Sequence, residues 1–134
     1  SVSARHGAWR AALRGSRTAA VDVSGAPDTN ENYGKQLRLT PENMASGEVM
    51  YADNGWGARA QHRWIGSSFT RADGKAELAA YGVLDISAWR QIRVAGMVYD
   101  ARIDVTNGLD SAYVIIPGYP MPGRSVAFTL GASL

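Results

Sequence analysis

Three Asx-Gly dipeptides, Asn54-Gly55, Asp73-Gly74 and Asn107-Gly108, punctuate this chain. Such pairs supply the positive dihedrals of a two-residue hairpin turn, so their repetition favours antiparallel hairpins over strands joined by crossover helices. Their placement predicts Glu48 to Ala52 returning as Ala58 to Ile65, Ser68 to Ala72 beside Lys75 to Leu84, and Tyr99 to Val105 beside Ser111 to Ile116. Trp89 to Tyr99 and Arg124 to Leu130 alternate apolar with polar residues, the pattern of a strand with one wet face. Between them, Ser111 to Ile116 runs into Pro117-Gly-Tyr-Pro-Met-Pro-Gly123, where three prolines remove backbone donors and force a corner.

The remaining segments are shorter. Ser24 to Gly34 is dense in turn formers and reads as a surface loop. Gln36 to Thr40 is a short strand candidate, with Pro41 opening one helical turn. Ala76 to Tyr81 has good helix formers, but Gly74 and Gly82 leave room for only about two turns, so it is read as strand. The expected architecture is an all-β antiparallel β-sandwich or small barrel of roughly seven to nine short strands.

Charge divides the chain into a basic N-terminal arm, residues 1–24, and a single β-rich domain, residues 25–134. Arg5, His6, Arg10, Arg14 and Arg17 all precede the first acid, Asp22. Arg10, Arg14 and Arg17 fall at i, i+4 and i+7, so a short helix would line them on one face with Trp9 and Leu13 beside them. The plainer reading is a solvated arm whose Trp9 and Leu13 pack on this subunit or a neighbour. The sharper one is contact of Arg5, Arg10, Arg14 and Arg17 with phosphates or an acidic partner.

At 134 residues, 46% apolar and 19% charged, the chain is one ordered domain without cysteine, so disulfides and thiolate metal sites are excluded. A net charge of +2 is too balanced to argue nucleic-acid binding from overall electrostatics. The longest apolar runs are a few residues, so neither a spanning helix nor a leader is expected, and no membrane partner. His6 and His62 lack companion ligands at metal-binding spacing. No nucleophile elbow surrounds a serine, Asp85, Asp100, Asp104 and Asp110 read as solvated acids, and Gly55-Trp-Gly57 lacks the lysine of a phosphate loop. No metal, cofactor or enzymatic activity is therefore expected.

One candidate site remains. Tyr51, Trp56 and Trp64 surround the Asn54-Gly55 turn with Arg59 interleaved, which suits stacking on sugars or single-stranded bases. The competing reading carries more weight: these rings fill a core or a subunit interface.

Trp89, Val94-Ala-Gly-Met-Val98, Ile115-Ile-Pro-Gly-Tyr-Pro120 and Phe128 together resemble the β-rich modules at the C-terminal ends of bacteriophage tail-fibre and minor tail proteins. That resemblance implies a non-enzymatic structural protein of the virion, a tail, fibre or capsid decoration subunit, working by self-assembly. It implies a homo-oligomer, a trimer first, joined through Trp9, Leu13, Tyr119 and Met121 and held among other virion proteins. A carbohydrate-binding module directed at a host surface glycan is the alternative, and nucleic-acid contact through the arginines a third reading.

Overall fold

The computed structural model describes residues 1–134 and contains no helix. Its strands are β1 (Val2–His6), β2 (Trp9–Arg17), β3 (Asn43–Asp53), β4 (Trp56–Ile65), β5 (Ser68–Phe69), β6 (Glu77–Leu78), β7 (Tyr81–Val94), β8 (Met97–Thr106), β9 (Val114–Ile116), β10 (Tyr119–Pro120) and β11 (Ser125–Ser133). Seven form one antiparallel sheet in the order β1-β2-β3-β4-β7-β8-β11, an up-and-down meander. The pairs β5-β6 and β9-β10 are small hairpins carried within connections.

All-β and antiparallel hold as expected; the sandwich does not. The sheet is a single layer, and only 4 of 134 residues are buried, Val83 being the one buried large apolar residue. What holds the molecule together is the backbone ladder, with 57 of 74 backbone hydrogen bonds inside the strands. A sandwich requires a second sheet on the apolar face, and no element lies there.

The expected N-terminal helix is replaced by the β1-β2 hairpin. Residues 9–16 alternate Trp, Arg, Ala, Ala, Leu, Arg, Gly, Ser, which satisfies a period of two as well as a helical period. Pairing on both sides, with β1 and β3, decides for strand because it satisfies both backbone edges of β2. Gly7, at φ 56°, turns the hairpin.

Asn54-Gly55 makes the expected tight turn between β3 and β4. Asp73-Gly74 lies between β5 and β6, which are two residues each rather than the longer strands expected. Asn107-Gly108 does not make a hairpin: β8 pairs with β11, and residues 107–124 form a loop. Trp89 to Tyr99 is not one strand but the tip of the β7-β8 hairpin, turned at Ala95-Gly96. Gln36 contributes only an isolated bridge to Val21, and no helical turn follows Pro41.

The connections are sorted by length. Two-residue turns at Gly7-Ala8, Asn54-Gly55 and Ala95-Gly96 lie at one end of the sheet, and the long connections 18–42, 66–80 and 107–124 lie at the other. Near the short-turn end, Gly57 lies under Trp89 and a Cβ there would meet the indole ring and stand 2.6 Å from the Tyr51 carbonyl oxygen. Gly57→Ala is expected to destabilise the sheet by about 1–3 kcal/mol, the range for forced overpacking, checked by urea titration.

Candidate functional site

Side chains alternate along each strand, so the register sorts the sheet into two faces of opposite character. One face carries Trp9, Ala11 and Leu13 of β2; Ala45, Gly47, Val49 and Tyr51 of β3; and Trp56, Ala58, Ala60, His62 and Trp64 of β4. It continues through Leu84, Ile86, Ala88, Arg90 and Ile92 of β7, Tyr99, Ala101, Ile103 and Val105 of β8, and Val126, Phe128 and Leu130 of β11. The face is apolar and bare: Leu13, Phe128 and Leu130 are 66%, 77% and 83% exposed.

Aromatic rings mark its limits. At the short-turn end Trp9 meets Tyr51 edge-on with centroids 4.9 Å apart, and Tyr51 lies 4.7 Å from Trp56. Trp64 stands on the same face of β4, eight residues from Trp56. Eight residues of strand reach about 27 Å, or about 20 Å of height at a tilt near 40°, comparable to the apolar band that a membrane strand presents between aromatic rows. The strands carry the same message: β2, β3, β4, β7, β8 and β11 run 9 to 14 residues, longer than the usual five or six of globular sheets and long enough to cross hydrocarbon when tilted.

The opposite face is polar and internally paired. Arg59 donates to Glu48 (Nε to Oε2, 2.8 Å) and to Gln61 (3.1 Å). Arg63 pairs with Asp85 at 2.8 Å, and Asp85 also accepts the Asn107 amide. Ser87 and Arg102 both donate to Asp104, at 2.6 and 2.7 Å, and Gln91 donates to Asp100. These pairs stand open to solvent on one side, so they add little to stability. Their role is to make this wall hydrophilic.

The residues singled out from the sequence are distributed between these faces and the loops. Tyr51, Trp56 and Trp64 share the apolar face, Tyr51 and Trp56 in contact and Trp64 at its far end, while Arg59 is on the polar face across the sheet. Trp9 and Leu13 also stand on the apolar face, whereas Tyr119 and Met121 belong to the 107–124 loop. Arg5, Arg10 and Arg14 stand on the polar face and Arg17 on the other, its guanidinium 3.9 Å from Glu42. Arg90 also stands on the apolar face, and counting every second residue of β7 from Leu84 to Ile92 is the sequence signal that places it there.

The long connections are ordered by local hydrogen bonds. Asp22 accepts from both the amide and the hydroxyl of Ser24, at 2.8 and 2.6 Å. These bonds, the hydroxyl's first, hold its pKa below the ordinary 3.8. A lowered folded pKa means that this turn is fully held above the ordinary 3.8 and is lost as pH falls below it through the folded value. The Ser24 amide resonance is expected to move with Asp22 protonation in that acid window and to stay fixed above it.

Residues 1–107 match the family model described as TonB dependent receptor-like, beta-barrel. The chain belongs to the TonB-dependent receptor-like β-barrel family. Its fold is shared with solved receptors of this kind. The ferric preacinetobactin receptor BauA of Acinetobacter baumannii superposes with a TM-score of 0.66 at 16% identity, over 76% of this chain and 16% of that one. The ferric-catecholate import receptor Fiu of K12 E. coli, in its closed form, gives 0.69 at 25% identity, over 93% of this chain and 18% of that one. The chain thus spans under a fifth of either receptor. No curated protein matches it significantly.

Membership in a TonB-dependent receptor β-barrel family overturns the bacteriophage reading. The tail-fibre resemblance rested on a tryptophan-led strand and a proline-glycine corner; the first is half of the β7-β8 hairpin and the second is the β9-β10 loop hairpin. A virion location, self-assembly as a trimer with virion proteins, and a host-glycan module give way with it. The exclusion of a membrane partner fails for a physical reason. Strands cross a bilayer with every second residue polar, so no apolar run appears for a helix-based reading to detect.

Proposed function

We propose that this chain is a wall segment of an outer-membrane receptor barrel that imports ferric siderophore complexes with energy supplied through TonB. The observation that carries the reading is a broad apolar face with nothing packed on it, backed by a paired polar face. In water such a single layer would leave its apolar face wet; in a bilayer lipid covers that face and the polar face lines the lumen. The short turns then belong on the periplasmic side and the long connections outside the cell. The free edges of β1 and β11 carry unpaired backbone groups that hydrocarbon would not tolerate, so both pair with further strands of the closed barrel.

Iron as cargo comes from the two structural neighbours, described as a ferric preacinetobactin receptor and a ferric-catecholate import receptor; the cargo class is carried over and not the individual siderophore. Such a receptor is a transporter and requires no catalytic group in its wall. The test is expression of the receptor carrying this chain in an iron-starved Gram-negative host. Fractionation with the outer membrane, heat-modifiable mobility and restored uptake of a ferric siderophore from a panel are expected. A chain recovered as a stable monomer in detergent-free buffer would overturn the reading.

A further inference from the structure

A shallow apolar depression, open to the outside, of about 550 Å³ runs across β4, β7, β8 and β11 towards the short-turn end, and it does not follow from the barrel architecture alone. Its floor is a row of small side chains, Ala58, Ala88 and Ala101, and Phe128 and Leu130 stand along one side. Arg90 lies at its edge, directly opposite Trp56 on β4 and Ala101 on β8. A second arginine, Arg102, borders the depression but is held by Asp104 on the polar face; on the apolar face of β4, β7, β8 and β11 Arg90 is the sole arginine or lysine, with no carboxylate on that face of those strands and no ion pair of its own.

A permanently charged group facing hydrocarbon must reach an anion or water, and an arginine does so by extending its stem along the apolar surface towards the headgroups. The aromatic cluster Tyr51 and Trp56 stands at that interface. We propose that Arg90 and the alanine-floored depression form a binding site for one anionic glycerophospholipid of the periplasmic leaflet. The guanidinium holds the phosphate, and an acyl chain lies over Ala88 and Ala101 against Phe128. Charge complementarity selects this occupant: a net negative head neutralises the lone cation, which a zwitterionic head or an apolar protein surface would not do.

The inference rests on the barrel reading, and its test separates the two. The receptor carrying this chain is reconstituted in nanodiscs of phosphatidylglycerol and phosphatidylethanolamine, extracted into mild detergent and weighed by native mass spectrometry, with heat-modifiable mobility reporting the folded barrel. The wild type is expected to retain one phosphatidylglycerol. Arg90→Gln is expected to lower that retention about five-fold, the effect of one arginine near an anionic lipid surface. Ala88→Phe, which fills the depression and leaves Arg90 in place, should lower it too, whereas Arg93→Gln on the polar face should not. A folded barrel that retains no phosphatidylglycerol, retains it equally in all variants, or carries a second protein copy overturns this site and leaves the barrel reading standing. A chain that never yields a folded barrel overturns both.

Discussion

Ala60→Arg is expected to lower the stability of the lipid-embedded barrel by about 2–4 kcal/mol, the penalty for arginine on the lipid face near the bilayer midplane. Ala60 stands midway between Trp56 and Trp64 on the apolar face, with Val49 and Ile86 opposite it on the neighbouring strands. A guanidinium there cannot discharge by losing its proton, and neither neighbour offers a carboxylate. The adjacent residue provides the comparison. Gln61 points to the other face between Glu48 and Asp85, which Arg59 and Arg63 already occupy, so Gln61→Arg gives up the Arg59 hydrogen bond but leaves its charge on the polar wall and should cost about 1 kcal/mol or less. Urea titrations of both variants in phosphatidylcholine vesicles, followed by tryptophan fluorescence, measure the difference. Equal effects would rule out a lipid-facing assignment for Ala60, because only the orientation of the side chain distinguishes the two sites.

Some of this architecture was legible in the residues. Asn54-Gly55 announced its hairpin because both turn residues take left-handed dihedrals readily, at φ 44° and 76°. Ala95-Gly96 makes an equivalent turn with alanine at φ 51°, which no propensity rule anticipates, so the β7-β8 hairpin stayed hidden inside an apparent single strand. Asn107 has the same left-handed geometry as Asn54, and its side chain ties a loop instead of turning a hairpin. A dipeptide specifies a local dihedral and not the strand that follows.

The faces were harder. Alternation in β4 says that Ala58, Ala60 and His62 share a side and Arg59, Gln61 and Arg63 the other, but it is silent on what covers the first set. Protein and lipid exert nearly the same demand on an apolar face, so a sandwich and a membrane barrel write the same pattern. Length separates them. β7 keeps its two faces over 14 residues, longer than a globular strand requires, with the alternation inverted only at Trp89-Arg90, and Trp56 and Trp64 are spaced to fit an apolar band. The aromatic residues offered as a ligand site stand on that lipid-type face, where Arg59 cannot join them without crossing the sheet.

Asn107→Ala is the second large effect expected, about 2–3 kcal/mol, and it should fall on one loop while sparing the sheet. Asn107 is 1% exposed, in a molecule with almost no interior. Its Oδ1 accepts the Ser111 amide at 3.0 Å, and its Nδ2 donates to the carbonyls of Ser111 (3.0 Å) and Pro122 (3.4 Å). Its own amide donates to Asp85 on the polar face, and the Gly108 amide donates to the Leu84 carbonyl at 2.7 Å. Asp110 completes the closure by accepting the Arg124 amide at 2.7 Å. The base of the 107–124 loop is therefore fastened to β7 and to its own return arm by polar groups, with Tyr81 and Tyr113 stacked 4.5 Å apart beside them. Alanine removes the side-chain bonds, strands the Ser111 and Pro122 backbone groups, and adopts φ 51° with less ease than asparagine. Asn107→Gly relieves only the dihedral, so it should recover about 1 kcal/mol or less of the loss and leave the hydrogen-bond share intact. Hydrogen exchange at Ser111 and Arg124, with limited proteolysis within 108–124, reads the effect directly. Faster exchange there with an undisturbed β8-β11 ladder is the expected outcome, since the ladder's backbone bonds do not pass through Asn107. Unchanged exchange would mean that the loop is held by its tyrosine stack and not by the asparagine.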